Sequence, residues 1–443
     1  MDPQAYHILT LGCQMNQRDS ETIAGILDGL GFHRAENAEQ AHILVINTCS
    51  VRAKPEQKAF SRLGEWRLLK QQAPERIIAV CGCTSQVATE EVRRRVPDAD
   101  IIIGPRSLGN FREALLQRLE ANGDGPAVFA DSAEVIPEAL PVHRARGISA
   151  FVNITYGCDN YCAYCVVPYA RGREISRIPP EIVTECREAL AHGYREITLL
   201  GQNVNSYGHD LHPPMEFAEL LLQVGTIRGL ERLRFTTSHP KDLCDRVLET
   251  MATVPTICEH LHLPLQAADD EVLARMGRGY TFQQFHHIIT GAREAMPAIS
   301  ITTDLMVGFP GETEAQFQNT LRAVAQIRFD QAFMFKYNDR PGTRAAQMPD
   351  KVPEEEKQRR LLELVNLQNQ IARDVNQATV GKVFEVLVEG PDPKSPGSIR
   401  GRSRQNKIVI FPGSGGLAGR VVKVRATEGF LWGHKGELLR TVK

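Results

Sequence analysis

Three cysteines lie close together near the middle of the chain, at the spacing Cys158-x-x-x-Cys162-x-x-Cys165. The apolar run FVNITYG (151–157) precedes them and predicts a strand, so the thiols lie on the loop that leaves its carboxyl end. Thiolates are soft ligands that suit zinc or an iron–sulfur cluster. A structural zinc site would need a fourth ligand from elsewhere, whereas three thiolates can hold a [4Fe–4S] cluster with one open iron.

A second group of cysteines is spread over the first hundred residues. Each comes shortly after an apolar run that predicts a strand: Cys13 after HILTL, Cys49 after HILVIN, and Cys81 and Cys83 after RIIAV. Since the carboxyl ends of parallel strands lie along one edge of a sheet, we expect these thiols on one rim. We interpret them as a second three-cysteine site. The alternatives are a coincidence of buried strand-end cysteines and a four-cysteine zinc site that uses both Cys81 and Cys83.

The remaining cysteines stand alone, and we interpret Cys186, Cys244 and Cys258 as small core hydrophobes. The chain has no apolar run of about 18 residues and no basic-then-apolar segment at its start, so we expect a cytoplasmic protein without membrane contact and with reduced thiols. With 443 residues, of which 42% are hydrophobic and 24% charged, we expect about three globular domains.

Charge is unevenly distributed along the chain. Residues 377–443 contain twelve Lys and Arg against five Asp and Glu, a net charge of +7, although the whole chain has a net charge of −1. Such asymmetry indicates a module that binds a polyanion, and a solvated basic face is the alternative.

The elements that position these residues divide the chain into three parts. Short apolar runs alternate with amphipathic ones over residues 1–122, which predicts a doubly wound parallel sheet with helices on both faces. Expected helices cover 19–30, 53–72, 85–95 and 107–120. Residues 121–150 have no steady period, and we interpret most of them as a linker.

The second part, residues 144–376, predicts six β-α units, which fit a partial or complete parallel (β/α) barrel. A long helix from Pro353 to about residue 379 follows. Residues 377–443 then contain short β-branched segments separated by turn residues, which predict a small all-β barrel of about five strands. The six predicted strands of the central part are 151–157, 196–201, 232–238, 260–265, 300–308 and 330–338.

Eight segments, in order along the whole chain, resemble the radical S-adenosylmethionine (SAM) methylthiotransferase family, and the terminal barrel resembles its RNA-binding TRAM domain. The segments are LGCQMNQRDSE (11–21), NTCSVR (47–52), GCTSQ (82–86), GCDNYCAYCVVPYARG (157–172), LLGQNVN (199–205), TTSHP (236–240), HLPLQ (262–266) and VGFPGET (307–313). The central domain is therefore expected to be a radical-SAM partial barrel.

The resemblance implies two [4Fe–4S] clusters and SAM as cofactors. Cys158, Cys162 and Cys165 would hold the cluster that binds SAM, and Cys13, Cys49 and Cys83 an auxiliary cluster, with Cys81 as an extra thiol beside it. Turn formation is the alternative role for the glycines of the implied SAM contacts. These contacts are Tyr164, Gly201, Gln202, Asn203, Gln266, Asp304, Gly308, Pro310 and Gly311.

The implied reaction is radical sulfur insertion at C2 of a modified adenosine, followed by methylation of that sulfur. GCQMN and NTCSVR resemble the branch that converts N6-dimethylallyladenosine at tRNA position 37 to its 2-methylthio derivative. The alternatives are the branches that act on ribosomal protein S12 or on threonylcarbamoyladenosine, and a non-catalytic two-cluster protein that carries electrons or binds RNA. The GQN and GFPGE segments count against the non-catalytic alternative.

The implied partners are the anticodon stem-loop of tRNA, a sulfur donor and a reductant protein such as flavodoxin or ferredoxin, with the enzyme itself a monomer. Arg171, Arg173 and Arg177 follow the cysteine loop and either meet substrate phosphate or cofactor carboxylate, or are exposed solubilising residues. We expect a chain that ends near residue 380 to keep radical chemistry while losing tRNA affinity. Phosphate contacts are expected from Arg400, Arg402, Arg404, Lys407, Arg420, Lys423 and Arg425.

Overall fold

The computed structural model describes residues 2–50, 53–120, 127–129, 140–144 and 147–441. Most of the predicted linker at 121–150 lies outside these residues. No described helix is both long and apolar enough to cross a lipid bilayer.

The N-terminal part forms a six-stranded sheet in the order β2-β1-β3-β4-β5-β6, and every pairing in it is parallel. Its strands are β1 (Asp2–Leu11), β2 (His33–Arg34), β3 (Ala41–Thr48), β4 (Ile77–Gly82), β5 (Ile101–Ile103) and β6 (Ala127–Phe129). Its helices are α1 (Gln14–Gly29), α2 (Ala53–Gln72), α3 (Cys83–Val87), α4 (Thr89–Arg95) and α5 (Phe111–Glu120), with a 3₁₀ turn at Pro105–Asn110.

Both faces of this sheet carry apolar side chains, and helices cover both faces. Ile23 of α1 and Phe111 of α5 pack on one face, whereas Leu63 and Trp66 of α2 pack on the other with Val92 of α4. The predicted doubly wound sheet is confirmed.

Two of the predicted helices differ in the structure. Helix α1 begins at Gln14 rather than near Asp19, because Cys13 occupies its N-cap and the Asn16 side chain accepts the Cys13 backbone N–H. The predicted helix 85–95 is two helices, since Ala88 adopts φ −134° and ψ 35° between α3 and α4. Strands β2 and β6 were not predicted, because two and three residues are too few to show a period.

The central part contains all six predicted strands, arranged as two parallel groups in the orders β11-β10-β7 and β12-β13-β14. An isolated parallel bridge, Leu233 with Ile257, links the groups, and among the described residues β7 and β14 do not pair, so the barrel is open. The strands are β7 (Ser149–Asn153), the hairpin strands β8 (Thr155–Tyr156) and β9 (Ile175–Ser176), β10 (Glu196–Leu200), β11 (Arg232–Thr236), β12 (His260–His262), β13 (Ser300–Val307) and β14 (Gln331–Lys336).

The helices of this part cover the barrel, and Phe285, Phe317 and Leu364 are among the buried side chains between helices and strands. The helices are α6 (Val167–Arg171), α7 (Pro179–Ala191), α8 (Phe217–Gly225), α9 (Asp245–Thr253), α10 (Asp270–Met276), α11 (Phe282–Ala295), α12 (Glu314–Ile327) and α13 (Glu354–Gln377), with 3₁₀ turns at Val204–Ser206 and Arg344–Gln347. Cys186 and Cys258 are buried as expected, but Cys244 is exposed at the N-cap of α9, so its assignment to the core was wrong.

The C-terminal part is a closed five-stranded barrel in the order β15-β16-β17-β19-β18, as predicted. Val386, Val409 and Phe411 are among the side chains that fill its core. The strands are β15 (Val383–Pro391), β16 (Ser398–Ser403), β17 (Ile408–Pro412), β18 (Val421–Phe430) and β19 (Gly433–Thr441), with a 3₁₀ turn at Gly415–Leu417.

Candidate active site

The Cys158–Cys165 loop follows strand β8 and returns through α6. The backbone N–H of Cys158 donates to Gly172 O (3.1 Å) and that of Cys165 to Cys162 O (2.9 Å), so the loop folds back on itself. Burial raises the pKa of the Cys158 thiol to about 11 and that of Cys165 to about 12, and the neighbouring thiols add to both shifts. The three thiols are therefore close enough to repel one another as thiolates.

A cationic cluster suits this donor set, because bound iron offsets both the repulsion and the burial of three thiolates. Within the described residues, no three Cys, His, Asp or Glu side chains already converge on a single-ion site. The fit therefore rests on three soft ligands from one short loop, which is the set a [4Fe–4S] cluster uses.

Arg278 is the charged residue that contacts this loop from the barrel. Its Nη1 lies 3.4 Å from Cys162 Sγ and 3.4 Å from the hydroxyl oxygen of Tyr164, and its Nη2 donates to Pro264 O at 2.9 Å. The guanidinium is buried and lies near the ring of Tyr280. Arg278 thus holds Tyr164 beside the thiols and adds positive charge to the site, a role that the sequence analysis missed.

Polar atoms without partners collect beyond the carboxyl ends of β7, β10 and β11. They belong to buried or half-buried side chains that no described residue satisfies: Asn153 Oδ1, Thr155 Oγ1, Asn203 Oδ1, Asn205 Nδ2, Ser238 Oγ and His239 Nε2. Burial, with the Arg278 and Lys241 charges nearby, lowers the pKa of His239 to about 2, so its ring is neutral at pH 7. Orphaned donors and acceptors at a barrel mouth fit a polar ligand such as the methionine part of SAM.

Of the three predicted residues on this rim, Gly201 and Asn203 are buried and Gln202 is half-buried. A Cβ at position 201 would lie 2.4 Å from Thr155 Oγ1, so only glycine lets the β10 loop approach β8. Asn203 Nδ2 donates to Asp242 (2.6 Å), which leaves its orphaned Oδ1 for a ligand.

The implied SAM contacts from Gln266 to Gly311 lie on the other half of the barrel. Gln266 adopts a left-handed φ of +69° and donates its N–H to Asp304 O (2.8 Å). The Gly308–Gly311 turn is held by Glu312, which accepts from Gly308 N at 2.6 Å and from Arg360 at 2.9 Å. Thr313 caps α12. This turn therefore has a structural role, and contact of Gly308, Pro310 and Gly311 with a cofactor stays a prediction.

The second group of thiols lies on one rim of the N-terminal sheet. Cys13 precedes α1, Cys49 follows β3, and Cys83 begins α3; the Cys49 N–H donates to Leu11 O (3.0 Å), which joins the ends of β1 and β3. Two glycines permit this approach. A Cβ on Gly12 would lie 2.9 Å from Cys49 Cβ, and Gly82 has φ +95° with only 2.4 Å between an added Cβ and Thr48 O.

Hydroxyl groups without partners lie beside these thiols, on Thr48, Ser50 and Thr84. Three thiols with polar neighbours on a sheet rim fit a cluster that takes three protein ligands. Cys81, in contrast, packs in the apolar cluster with Ile8 and Ala79, and burial raises the pKa of its thiol strongly. The structure therefore favours Cys83 over Cys81 as the ligand.

The three arginines after the cysteine loop have different environments. Arg171 is buried and its Nη2 donates to Asp19 (2.6 Å), while Arg177 is buried against Glu185 (2.5 Å). Arg171 joins the central part to the N-terminal part, and Arg177 binds the same Glu185 carboxylate that Arg18 of the N-terminal part binds. Neither is therefore the exposed residue or the phosphate ligand that we expected. Only Arg173 is exposed, where it pairs with Asp159 at 2.8 Å.

Sequence comparisons identify the family. Residues 5–104 match the model of Uncharacterized protein family UPF0004, residues 152–324 that of the Radical SAM superfamily, and residues 377–439 that of the TRAM domain. The chain is 46% identical over 441 residues to the tRNA-2-methylthio-N(6)-dimethylallyladenosine synthase of Carboxydothermus hydrogenoformans, covering 99% of this chain and 100% of the relative. The enzyme of the same name from Moorella thermoacetica is 45% identical over 440 residues, 98% of each chain.

The chain belongs to the tRNA-2-methylthio-N(6)-dimethylallyladenosine synthase family. It is therefore a radical SAM enzyme, with SAM and a [4Fe–4S] cluster as cofactors. Among solved structures, the radical SAM methyltransferase TsrM from Kitasatospora setae shares the fold with a TM-score of 0.57 at 15% identity, over 77% of each chain. The cobalamin-dependent SAM radical enzyme OxsB matches with a TM-score of 0.52 at 11% identity, over 83% of this chain and 56% of that one.

In this synthase-family chain, the basic residues of the TRAM barrel fall into two groups. Arg404 pairs with Glu259 (2.8 Å) and buried Lys407 with Asp330 (2.6 Å), so both bind the central barrel instead of facing solvent. Our expectation that Lys407 contacts RNA was wrong for this reason.

The other TRAM-barrel residues are more accessible. Arg400 and Arg402 pair with Glu389, and Lys423 with Glu385. The Arg420 and Arg425 side chains are exposed, and neither guanidinium forms an ion pair with a described residue. These two side chains are therefore the most available phosphate ligands of the predicted set.

Several site residues of the synthase-family chain escaped the sequence analysis, notably Asn153, Ser238, His239 and Arg278. The first three could have been found, since each ends or follows a predicted strand in FVNITYG or TTSHP. Arg278 follows helix α10, far from any strand end, and no local pattern indicates its contact with Cys162.

Proposed function

We propose that the chain converts N6-dimethylallyladenosine at position 37 of tRNA into its 2-methylthio derivative. The observation that carries the proposal is full-length similarity to synthases of that name. Two groups of three cysteines, each of which we expect to hold a cluster, support it. When bound, SAM and the first [4Fe–4S] cluster would supply the radical, the second cluster would hold the sulfur to be inserted, and a second SAM would supply the methyl group.

The chain's own residues would position these groups. Cys158, Cys162 and Cys165 would hold one cluster, and Arg278 would keep Tyr164 against it. The rim of orphaned polar atoms at Asn153, Asn203 and Ser238 would orient the amino-acid part of SAM, while Gln266 and Asp304 would face its other end. Because the His239 ring is neutral and its Nδ1 accepts the backbone N–H of Lys241 (3.3 Å), its Nε2 carries the proton and can donate a hydrogen bond there without adding charge.

An apolar surface inside the open barrel supports a prenylated substrate. Asp304 and Phe333 are paired in register on β13 and β14, as are Met306 and Phe335, so each pair shares a face. Phe333 is 51% exposed and lies 6.0 Å from the His262 ring, which places it on the open inner face of the barrel. Exposed aromatic side chains at a barrel interior mark a ligand surface, and a five-carbon prenyl chain fits one.

The reaction also sets what the enzyme must take from outside. Radical generation consumes an electron, and each turnover consumes a sulfur atom, so we propose a flavodoxin or ferredoxin as reductant and a separate sulfur donor. Basic side chains of the TRAM barrel, above all Arg420 and Arg425, would bind phosphates of the anticodon stem-loop. We further propose that the enzyme acts as a cytoplasmic monomer.

The test offers the reconstituted enzyme three substrates under identical anaerobic conditions with dithionite and SAM: prenylated tRNA, the same tRNA without the prenyl group, and ribosomal protein S12. We expect 2-methylthio product on the prenylated tRNA alone, measured by nucleoside mass spectrometry. Modification of S12, or equal rates on both tRNAs, would contradict the proposed substrate. Failure to release 5′-deoxyadenosine would favour a non-catalytic two-cluster protein.

A further inference from the structure

One ion pair between the N-terminal and central parts is almost completely buried. Arg171, the last residue of α6, donates to Asp19 of α1 at 2.6 Å, and each side chain is only 4% exposed. Burial of two charges costs free energy, and their mutual attraction offsets this cost only when the geometry is good. A buried ion pair therefore does not by itself indicate a gain in stability. Its position suggests another role.

The Arg171 charge also acts on the second thiol site. Burial raises the pKa of the Cys83 thiol, and the positive charge of Arg171 opposes that shift. The same guanidinium interacts electrostatically with Cys13. Helix α6, which carries Arg171, packs directly on α3, which begins with Cys83.

The same short segment is joined to the first thiol site. Gly172, the residue after Arg171, accepts the backbone N–H of Cys158 at 3.1 Å. Arg171 therefore lies on a short segment that contacts both sets of thiols, because Gly172 binds the Cys158 loop and α6 packs on the helix that begins with Cys83.

We propose that Arg171 is a positioning residue that sets the net charge at the Cys13–Cys49–Cys83 site and fixes that site against the Cys158 loop, with Asp19 as its counter-charge. The inference rests on the proposed function in one respect, namely that these three thiols hold a cluster. A cation beside a cluster stabilises its reduced, more negative state, and an anion destabilises that state. Arg171 and Asp19 should therefore act on its reduction potential with opposite signs.

The interface offers a matched control. Arg18, adjacent to Asp19 on α1, crosses to Glu185 of α7 at 2.9 Å, and both side chains are buried. This pair joins the same two parts of the chain, and the Arg18 guanidinium also donates to Thr22 of α1 at 2.7 Å. Arg18→Gln therefore removes an equivalent interdomain contact without touching the thiol site.

The experiment uses the full chain with Cys158, Cys162 and Cys165 replaced by Ala, so that only the second cluster remains after anaerobic reconstitution. Iron content and the midpoint potential, from a redox titration followed by electron paramagnetic resonance, are the two measurements. We expect Arg171→Gln to lower the potential, Asp19→Asn to raise it, and Arg18→Gln to leave it in place. Arg171→Lys keeps the positive charge, so its midpoint potential should lie close to that of the parent variant.

Each remaining outcome is decisive. Shifts of the same sign for Arg171→Gln and Asp19→Asn, or an equal shift for Arg18→Gln, would overturn the inference, because general loosening of the interface would then explain them. If Arg171→Gln binds no iron, recovery of iron in Arg171→Lys supports the role of the charge, and no recovery overturns it. Iron bound by the parent variant, which lacks Cys158, Cys162 and Cys165, would support the proposed second cluster whatever the role of Arg171. If the parent variant binds no iron, both the second cluster and this inference are overturned.

Discussion

At the scale of single residues, the two cysteines of the Cys81-Gly82-Cys83 turn lie in different elements. Cys81 belongs to β4 and its side chain enters the apolar core beside Ile8, whereas Gly82, with φ +95°, turns the chain so that Cys83 begins α3 on the rim with Cys13 and Cys49. Strand alternation separates a second pair of neighbours: it places Phe333 on the inner face of the barrel and Met334 against the core.

We expect Cys83→Ala to lower the iron of the reconstituted chain from roughly eight to roughly four atoms, because it removes one ligand of a three-thiolate cluster. Cys81→Ala should leave the iron content nearly unchanged, since its side chain contacts only the core. Iron and sulfide analysis per chain measures both. Loss of iron in Cys81→Ala with retention in Cys83→Ala would reverse the ligand assignment.

Phe333→Ala should lower kcat/KM for prenylated tRNA by about 5- to 30-fold, because lost contact with one or two methylene-sized groups costs about 1–2 kcal/mol. The rate on unprenylated tRNA, if measurable, should hardly change. Steady-state kinetics on the two tRNAs measure the ratio. As a control, Leu222→Ala removes an exposed apolar side chain of α8. An equal loss in both variants would show that Phe333 does not contact the prenyl group.

At the scale of elements, helix α7 carries one of the residues that join the N-terminal part to the central barrel. The Glu185 carboxylate forms ion pairs with Arg18 of α1, with Arg144 and with Arg177, which follows β9. Burial alone would raise the pKa of Glu185, but the three arginine charges lower it to about 2. A carboxyl whose pKa is depressed on folding adds stability above its unfolded pKa, about 4.5. That stability is lost as the pH falls toward 2.

We therefore expect the free energy of unfolding of the apo chain to fall between pH 4.5 and pH 2, in part through protonation of Glu185. Glu185→Gln should cost about 3–5 kcal/mol at pH 7, since it leaves buried arginines uncompensated, and it should flatten this part of the pH profile. Urea denaturation at several pH values measures both effects. Glu188→Gln on the same helix is the exposed control. A Glu185→Gln profile as steep as that of the parent chain would contradict the assignment.

At the scale of the whole molecule, the TRAM barrel is docked rather than tethered. Fully buried Arg232 donates to Arg402 O and Glu385 O, and Arg234 donates to Ser403 O and Arg404 O. These contacts insert the β16–β17 turn at the amino-terminal ends of the barrel strands, opposite the cysteine loop. The TRAM barrel therefore supplies hydrogen-bond acceptors to buried arginines of the central part.

This docking changes the expectation for a shortened chain. A chain that ends near residue 380 removes the partners that the TRAM barrel gives to Arg232, Arg234 and Asp330 and uncovers this surface, so its melting temperature should fall and it should aggregate. Differential scanning calorimetry and light scattering measure this. A shortened chain as stable as the intact one would show that the contacts contribute nothing.

RNA binding is better tested at exposed positions. We expect the double variant Arg420→Gln with Arg425→Gln to bind tRNA more weakly. The slope of log K against log salt concentration should become less steep by about 1.4–1.8, because each phosphate contact that is lost lowers the number of counterions released on binding. The melting temperature should be unchanged, whereas Arg404→Gln should lower it by breaking the pair with Glu259. Filter binding at several salt concentrations measures the slope. An unchanged slope would exclude both arginines from the RNA contact.

Local patterns in the sequence determined a large part of this protein. Strand and helix periods set the doubly wound sheet, the six β-α units and the five-stranded barrel, and the spacing of Cys158, Cys162 and Cys165 set the first thiol site, because all three lie on one loop. The second site was also readable, since parallel strands bring Cys13, Cys49 and Cys83 to one edge.

Only the tertiary structure decided which charged side chains serve function. Arg171, Lys407 and Arg420 look alike in the sequence, yet one is buried between two thiol sites, one is buried between domains and one is exposed. The partner of Arg171 is Asp19, 152 positions away, and the partner of Lys407 is Asp330, 77 positions away. Each partner belongs to another domain. Burial and pairing depend on how domains pack, and a local period carries no information about packing between domains.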